Sequence, residues 1–211
     1  MNNSNDFVID NNGILTRYMG SDTHVYIPEG VKRIGKQAFG KQKGVLVKVF
    51  LPESMTVIDD FTFSFCSNLK SIKIPDSINE IGLSAFNMCY SLESIHIPEG
   101  VKNIPWCAFS GCESLTDLVF PNSLKTIGEC AFSDCYNLKN ISFPYGLVEI
   151  GNKAFDNCKS LEIVHLPSTV QKIGDNAFKN YKVFKPVKIK APAGSYAHKY
   201  AKEHGVTFIE E

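Results

Sequence analysis

Residues 92–115, LESIHIPEGVKNIPWCAFSGCESL, contain one complete copy of a unit that fills this chain. The unit occurs seven times and is anchored by a proline, with one spacing of 24 residues and five of 23. The anchors are Pro28, Pro52, Pro75, Pro98, Pro121, Pro144 and Pro167. A strict repeat of this length predicts a solenoid, in which each coil buries its apolar side against its neighbours.

Two positions of the unit never vary. Counted from the proline, position +6 is isoleucine and position +11 is phenylalanine in all seven copies. Before the proline, apolar residues stand at −6, −3 and −1, for example Leu69, Ile72 and Ile74. The alternation of β-branched residues at −3 and −1 predicts a short, half-buried strand that ends at the proline. Such strands stack in parallel, and the rest of the unit is the crossover that parallel pairing requires.

The crossover has its own pattern. Position +7 is glycine in five copies, but Asp59 and Pro105 in the other two. Because proline fixes φ near −65°, this position does not need a positive φ, and we expect glycine there to permit close backbone approach. Alanine at +10, phenylalanine at +11, and the residues at +14 and +17 are predicted to form one face of a short helical turn against the core.

No linker or charge run interrupts the repeat, so we expect one continuous domain. Residues 1–28 are predicted to form an N-terminal β-hairpin cap, with its turn at Asn12-Gly13. Residues 29–191 form the seven-unit array. Residues 192–211 are predicted to form a C-terminal cap, in which Ser195 begins a short helix, Gly205 stops it, and a strand follows.

The motif from Leu92 to Pro98, followed by Ile104, Ala108-Phe109 and Cys112, resembles the Treponema-type leucine-rich repeat of BspA-like proteins. The similarity extends over about residues 7–209 and includes both ends. It implies a right-handed leucine-rich repeat solenoid, with a parallel β-sheet on the concave face and short helical or 3-10 turns on the other side. It also implies a chain without catalytic residues or cofactors. Members of this family are mostly bacterial surface or secreted proteins, and some resemble adhesins that bind host matrix proteins.

Charge and hydropathy exclude some classes of partner. Lys and Arg together number 22, as do Asp and Glu, so the chain has no basic footprint for a nucleic acid. No apolar run is long enough to insert into a membrane. The first residues have neither the basic nor the apolar region of a signal peptide. The sequence alone is therefore compatible with the cytoplasm, or with a surface protein whose leader has been removed.

The cysteines form a column. Five of the seven stand at +14, namely Cys66, Cys89, Cys112, Cys135 and Cys158. Their phase relative to the core alanine predicts buried thiols that pack as small hydrophobic groups, although a disulfide between neighbours also fits the spacing. Cys107 and Cys130 stand at +9 and are expected to be more exposed. Neither the cysteines nor the histidines have the spacing of a metal site.

Residues between the core positions of the strand are expected to face the open, concave side of the sheet. At −2 the chain has Tyr26, Phe50, Lys73, His96, Val119, Ser142, His165 and Lys188, with charged residues at −5 and −4 beside them. Aromatic side chains among charges of both signs favour a protein partner over a polyanion. The predicted ligand-binding residues are Tyr26, Lys48, Phe50, Lys73, Glu93, His96 and Asp117. Trp106, at +8, is either a second recognition aromatic or a filler under a displaced turn.

Three hypotheses for function follow. The first is a non-enzymatic protein that binds an unidentified protein or peptide on the concave face, with the family resemblance implying bacterial adhesion or host interaction. The second is a structural spacer or scaffold module of a larger surface protein. The third, more remote, is a thiol-dependent redox protein.

Overall fold

The computed structural model describes residues 3–36, 38–180 and 186–211. A 3-10 turn (Ser4–Asp6) and one α-helix, α1 (Tyr196–Glu203), accompany the strands. The strands are β1 (Phe7–Ile9), β2 (Ile14–Tyr18), β3 (His24–Tyr26), β4 (Arg33–Ile34), β5 (Lys48–Phe50), β6 (Val57–Ile58), β7 (Ser71–Lys73), β8 (Glu80–Ile81), β9 (Ser94–His96), β10 (Asn103–Ile104), β11 (Asp117–Val119), β12 (Thr126–Ile127), β13 (Asn140–Ser142), β14 (Glu149–Ile150), β15 (Ile163–His165), β16 (Lys172–Ile173), β17 (Lys188–Ala191) and β18 (Thr207–Glu210).

The predicted strand before each proline is confirmed. These are the odd-numbered strands from β3 to β17, and where they pair they do so in parallel, with the −3 residues in register, as Val49 is with Ile72. Their hydrogen bonds form three ladders rather than one continuous sheet. The ladders are β3-β5-β7, β9-β11 and β13-β15-β17-β18.

A second column of strands, which the sequence analysis did not predict, lies just after the proline turn. It consists of the two-residue strands β4, β6, β8, β10, β12, β14 and β16, each ending at the invariant isoleucine. Ile104, Ile127 and Ile150 are stacked in register there. Beyond the isoleucine, the backbone N–H of Gly128 donates to the carbonyl of Ile104 in the previous coil at 2.7 Å.

The glycines at +7 are there because neighbouring backbones come close, as predicted. A Cβ on Gly82 would lie 2.3 Å from the backbone nitrogen of Asp60, and one on Gly174 would lie 2.4 Å from that of Asn152. Real Cβ atoms do not approach backbone atoms so closely. The two copies without glycine, Asp59 and Pro105, each have glycine at +7 in both neighbouring coils, so bulk at this position never stacks on bulk.

We call residues +8 to +15 of each unit the turn arc. It is built from i→i+3 hydrogen bonds, such as Cys89 N–H to the carbonyl of Phe86 at 3.2 Å, and not from a continuous helical face. Left-handed residues at +9 and +13 interrupt it. The non-glycine residues with positive φ are Phe61, Phe65, Ser84, Met88, Cys107, Cys130, Asp134, Lys153, Asn157 and Asn176.

The invariant phenylalanines form a ladder through the core. From Phe39 to Phe178, neighbouring ring centroids are 5.2–5.7 Å apart, and their planes lie within 24° of each other. No ring in the ladder is more than 4% exposed. At the N-terminal end Tyr18 of the hairpin continues the ladder, at 5.7 Å from Phe39. The cap therefore covers the first coil with an aromatic ring of its own.

Both predicted caps are present. β1 and β2 form an antiparallel hairpin in which Phe7 pairs with Tyr18, and Gly13 in its turn has a φ of +79°. At the other end the Ser195 hydroxyl accepts a hydrogen bond from the backbone N–H of His198 at 3.2 Å, which begins α1. Gly205, with a φ of +65°, ends the helix region, and β18 then adds in parallel to β17.

The Phe ladder makes a stability prediction. Replacing Phe109, which is fully buried, with alanine leaves a cavity between two coils and should cost about 3–5 kcal/mol of unfolding free energy. Chemical unfolding followed by circular dichroism measures this change. Tyr145, whose side chain is 78% exposed, is the matched control, and its change to alanine should shift stability by less than about 0.5 kcal/mol. Equal effects of the two substitutions would contradict the ladder as the main source of stability.

The repeat predicts opposite results for two deletions of similar length. Removing residues 99–121 takes out one whole unit and restores the stack, so a shorter soluble protein is expected. Removing residues 192–211 uncovers the last coil, including Phe178, and should cause aggregation because strand β17 becomes an open edge. Size-exclusion chromatography of both products checks this. An unfolded internal deletion beside a soluble cap deletion would refute the coil model.

Candidate functional site

The sheet face consists of the residues at −5, −4 and −2, which point away from the core. In β7, Ile72 is buried while Lys73 is exposed, as strand alternation requires. Six of the predicted ligand-binding residues lie on the five successive strands that precede a proline, β3, β5, β7, β9 and β11. The seventh, Glu93, comes just before β9. All seven therefore lie on one surface, spread over roughly 20 Å at the usual separation of strands.

An aromatic pair dominates the N-terminal end of this face. Tyr26 and Phe50 are in register on adjacent strands, and their rings are parallel within 1°, with centroids 4.2 Å apart. Tyr26 is 52% exposed, whereas Phe50 is partly buried. Lys73 is the next residue in register beside Phe50. The stack is a flat apolar surface, and its Tyr26 ring is the more exposed of the two.

An open groove of about 460 Å³ lies beside the aromatic pair. Four of the predicted residues line it, namely Lys48, Phe50, Lys73 and His96, together with Asp76 and the strand residues between them. Tyr26 adjoins the groove through its stack on Phe50. The structure therefore brings five of the seven predicted residues together.

The two remaining residues lie farther along the face. Asp117 is in register with Ser94, one strand beyond His96 on β9. The Glu93 carboxylate lies 3.9 Å from the Lys70 ammonium and is partly neutralised by it. Neither Lys48 nor Lys73 forms an ion pair within the described residues. The groove thus has two available cations beside an aromatic surface.

One predicted member of the −2 column is wrong. His165 is in register with Lys190, and Lys188 is in register with Ile163, which places Lys188 at −4. The last unit is 25 residues long, from Pro167 to Pro192, and the strand register follows the proline that ends it. Counting back from Pro192 finds Lys190 at −2.

The five column cysteines are buried, as predicted, with exposures of 0–1%. Four of them donate a hydrogen bond from Sγ to the phenylalanine carbonyl of the previous coil, at 3.2–3.4 Å. All seven cysteines are free thiols, and Cys107 and Cys130 are partly exposed. The column therefore fills core space and joins successive coils.

Burial also acts on the chemistry of these thiols. Desolvation is the main cause that raises the pKa of all seven, to about 12 for Cys66 and to about 11 for the partly exposed Cys107. A thiol nucleophile needs the opposite shift, because only the thiolate attacks. This direction argues against the thiol-dependent hypothesis. In the described part of the chain, no three His, Cys, Asp or Glu side chains converge as metal ligands.

Trp106 is 47% exposed, which supports a surface role over that of a filler. The sequence analysis missed its neighbours on the turn arc: Phe61, Phe65, Leu83 and Tyr90 are also exposed. A signal was present at +13, because three later coils have Asp134, Asn157 and Asn180 where the coil of Phe65 has an aromatic residue.

The sequence matches the family model for the BspA type leucine rich repeat region in six copies, over residues 18–139 and 102–201. This chain belongs to the BspA-type leucine-rich repeat family. The resemblance identified from the motif is thereby confirmed. Proteins of this fold family are generally non-enzymatic and bind protein partners. No curated protein matches the sequence.

Solved structures of bacterial leucine-rich repeat proteins share the fold. The Treponema pallidum leucine rich repeat protein is 28% identical, with a TM-score of 0.75, over 99% of this chain and 97% of its own. A Eubacterium ventriosum protein is 27% identical, with a TM-score of 0.73, over 87% of this chain and 52% of its own. A Bacteroides ovatus protein is also 27% identical, with a TM-score of 0.51, over 92% of this chain and 67% of its own. Among the described residues, the structure has no helix with the length and hydropathy of a membrane span.

The raised thiol pKa values predict a loss of stability in alkali. An unfolded cysteine loses its proton near pH 8.5, whereas burial keeps Cys112 protonated well above that value. Between the two values the folded chain binds more protons, so stability falls as pH rises, by up to about 1.4 kcal/mol per pH unit for each thiol. Cys112→Ala should reduce, by up to that amount, the slope with which the unfolding free energy falls with pH between roughly pH 9.5 and 11. Urea unfolding of the variant and the wild-type chain measures the two slopes. Equal slopes for the two proteins would show that the thiol ionises normally in the fold.

Proposed function

We propose that this protein binds an unidentified protein or peptide through the N-terminal part of its sheet face. The observation that carries the proposal is the Tyr26–Phe50 stack, which stays open to solvent at 4.2 Å centroid separation. Burying flat aromatic surface releases water at little conformational cost, which is why tyrosine and tryptophan dominate the energy of protein contacts. The groove next to the stack gives room for a partner side chain.

The charges around the stack specify the partner further. Lys48 and Lys73 line the groove and have no ion partner within the described residues, whereas Asp76 is the one acidic side chain in its lining. A segment with an aromatic or aliphatic side chain for the stack and a carboxylate for the lysines fits this arrangement. The proposed ligand is therefore an apolar and acidic peptide segment of another protein.

The family resemblance supports a setting for this binding. Some BspA-like proteins resemble adhesins that bind host matrix proteins, so we infer that the partner is a host protein and that the role is adhesion at a bacterial surface. The same resemblance supports a chain without catalytic function, and the raised pKa of the thiols points the same way.

Peptide display on the full chain tests the sheet face. Peptides selected on the wild-type chain should be enriched in aromatic and acidic residues. The double change Tyr26→Ser and Phe50→Ser should weaken each selected peptide at least about tenfold, because central aromatic contacts contribute about 2 kcal/mol or more each. Titration calorimetry measures the affinity. Lys73→Glu should weaken acidic peptides and leave neutral ones unchanged.

Tyr145→Ser is the matched control, since Tyr145 is the most exposed aromatic side chain among the described residues and lies outside the groove lining. The stacked pair contributes about 0.5–1.5 kcal/mol, so the double variant should melt no more than about 5 °C below wild type. Undiminished binding by the double variant would remove the proposed site. Failure of the wild-type chain to select any peptide would favour the spacer hypothesis.

A further inference from the structure

Exposed apolar side chains cluster on the turn arc of three adjacent coils. We define the turn patch as Phe61, Phe65, Leu83, Met88, Tyr90 and Trp106. Five of them are 39–52% exposed, and Met88 is half-buried. They form two strips. The first, at +8 and +9, consists of Phe61, Leu83 and Trp106, and the second, at +13 and +15, consists of Phe65, Met88 and Tyr90. The backbone N–H of Phe61 donates to the carbonyl of Leu83 at 2.9 Å in the first strip, and the Tyr90 hydroxyl donates to Met88 Sδ at 2.8 Å in the second.

The patch includes backbone conformations that disfavour its own side chains. Phe61 and Phe65 have φ values of +58° and +66°, in the left-handed region. Other coils place Asn157, Asn176 or Gly111 at the same positions, and these residue types tolerate that region. A bulky aromatic side chain there is uncommon, and in the single chain both rings remain exposed. In the single chain, burial of the two rings does not offset the strain energy of their backbone conformation. This is typical of a surface that is covered in a complex.

The patch lies between opposite charges along the solenoid axis. In the preceding coil the turn arc has Lys36, Lys41 and Lys43, with Lys36 lying 3.7 Å from Asp60 of the next coil. In the following coil it has Glu129 and Asp134. The order is therefore basic, mainly apolar and acidic, with the coil of Leu83 at the centre and with Asp60 and Glu113 as the acidic residues of the middle coils at these positions.

A two-fold rotation reverses this order and makes the surface match itself. The axis runs across the turn arc at the coil of Leu83, perpendicular to the solenoid axis. In the first strip, Lys36 of one copy then meets Glu129 of the other, and Leu83 meets Leu83. Trp106 meets Asp60 and lies next to Phe61, which follows Asp60 in the chain. Each contact away from the axis occurs twice, as an isologous interface requires.

The second strip matches under the same rotation. Lys41 meets Asp134, and Met88 and Tyr90 meet their own copies. Phe65 meets Gly111, whose missing side chain leaves space for the ring. A two-fold axis parallel to the solenoid would instead pair each coil with the same coil of the other copy. Lys36 would then face Lys41, and Glu129 would face Asp134. Like charges therefore disfavour that arrangement.

We propose that the turn patch is the interface of an antiparallel homodimer of this chain. Five coils at about 5 Å each extend over roughly 25 Å, close to the width of about 28 Å of a standard patch that buries 800 Å² per partner. The Tyr26–Phe50 stack is on the sheet face and stays uncovered. The dimer would present two sheet faces, which is the arrangement that gives avidity for a repeated ligand.

Analytical ultracentrifugation of the full chain tests the dimer. At about 100 μM the wild-type chain should sediment with twice the 23.5 kDa mass of one chain, and it should dissociate on dilution. Leu83→Glu places two carboxylates together at the two-fold axis and should raise the dissociation constant at least tenfold. Leu83→Lys should do the same. An equimolar mixture of these two variants should restore the dimer, because one copy of each pairs opposite charges at the axis.

Tyr145→Glu, an equally charged change outside the patch, should leave dimerisation unchanged. Melting curves establish that each variant is folded, and Trp106→Ser serves as a second variant if Leu83→Glu unfolds the chain. A wild-type chain that is monomeric at 100 μM overturns the dimer and leaves the patch to another partner. A Leu83→Glu chain that dimerises as wild type moves the interface elsewhere. Two monomeric variants that stay monomeric when mixed overturn the axis at Leu83.

Discussion

Adjacent coils are held at the separation of hydrogen-bonded parallel strands, about 4.8 Å, and every other contact in this molecule has to fit that pitch. Phenylalanine fits because nearly parallel rings stack at 5.2–5.7 Å between centroids. A Cβ at +7 of Gly82, Gly151 or Gly174 does not fit, because it would lie 2.3–2.6 Å from backbone atoms of the previous coil. A thiol fits because Sγ of Cys89 just reaches the carbonyl of Phe63 at 3.2 Å. One backbone spacing thus selects the residue type at several positions of the unit.

This constraint explains why so much of the fold could be predicted from the sequence. A position that faces the previous coil meets the same environment in every copy, so the requirement appears seven times and its cause can be inferred from residue size alone. Burial of Ile104, Phe109 and Cys112 and the close approach at Gly128 all followed from such columns. The caps could be predicted for a different reason. Asn12-Gly13 and Ser195 with Gly205 are local turn and capping signals that do not depend on the repeat.

What the sequence analysis missed has physical reasons too. The left-handed residues of the turn arc appear as Asn157 and Asn176 in some coils but as Phe61 and Phe65 in others, so a search for apolar periodicity finds a helical face there. The two-residue strands such as β10 are too short to show alternation. The sequence analysis assigned Lys188 instead of Lys190 to the −2 column, because the last unit is two residues longer and the strand register follows Pro192. On the sheet face, the −2 pattern predicted which residues share the surface. It could not predict the groove, because the groove depends on how the volumes of neighbouring side chains differ.

Specific recognition in such a molecule has to come from departures from the repeat, since the repeated positions are occupied by the core. Two groups of departures stand out, and each extends over neighbouring coils: Tyr26 with Phe50 on the sheet face, and Phe61, Leu83 and Trp106 on the turn arc. Because coils are about 5 Å apart, two or three such substitutions in succession already make a continuous aromatic surface. A single exposed ring would be unremarkable on a soluble protein. One group lies beside lysines that form no ion pair within the described residues, and the other lies partly on a disfavoured backbone. These departures from the repeat are therefore the basis of both proposed binding surfaces.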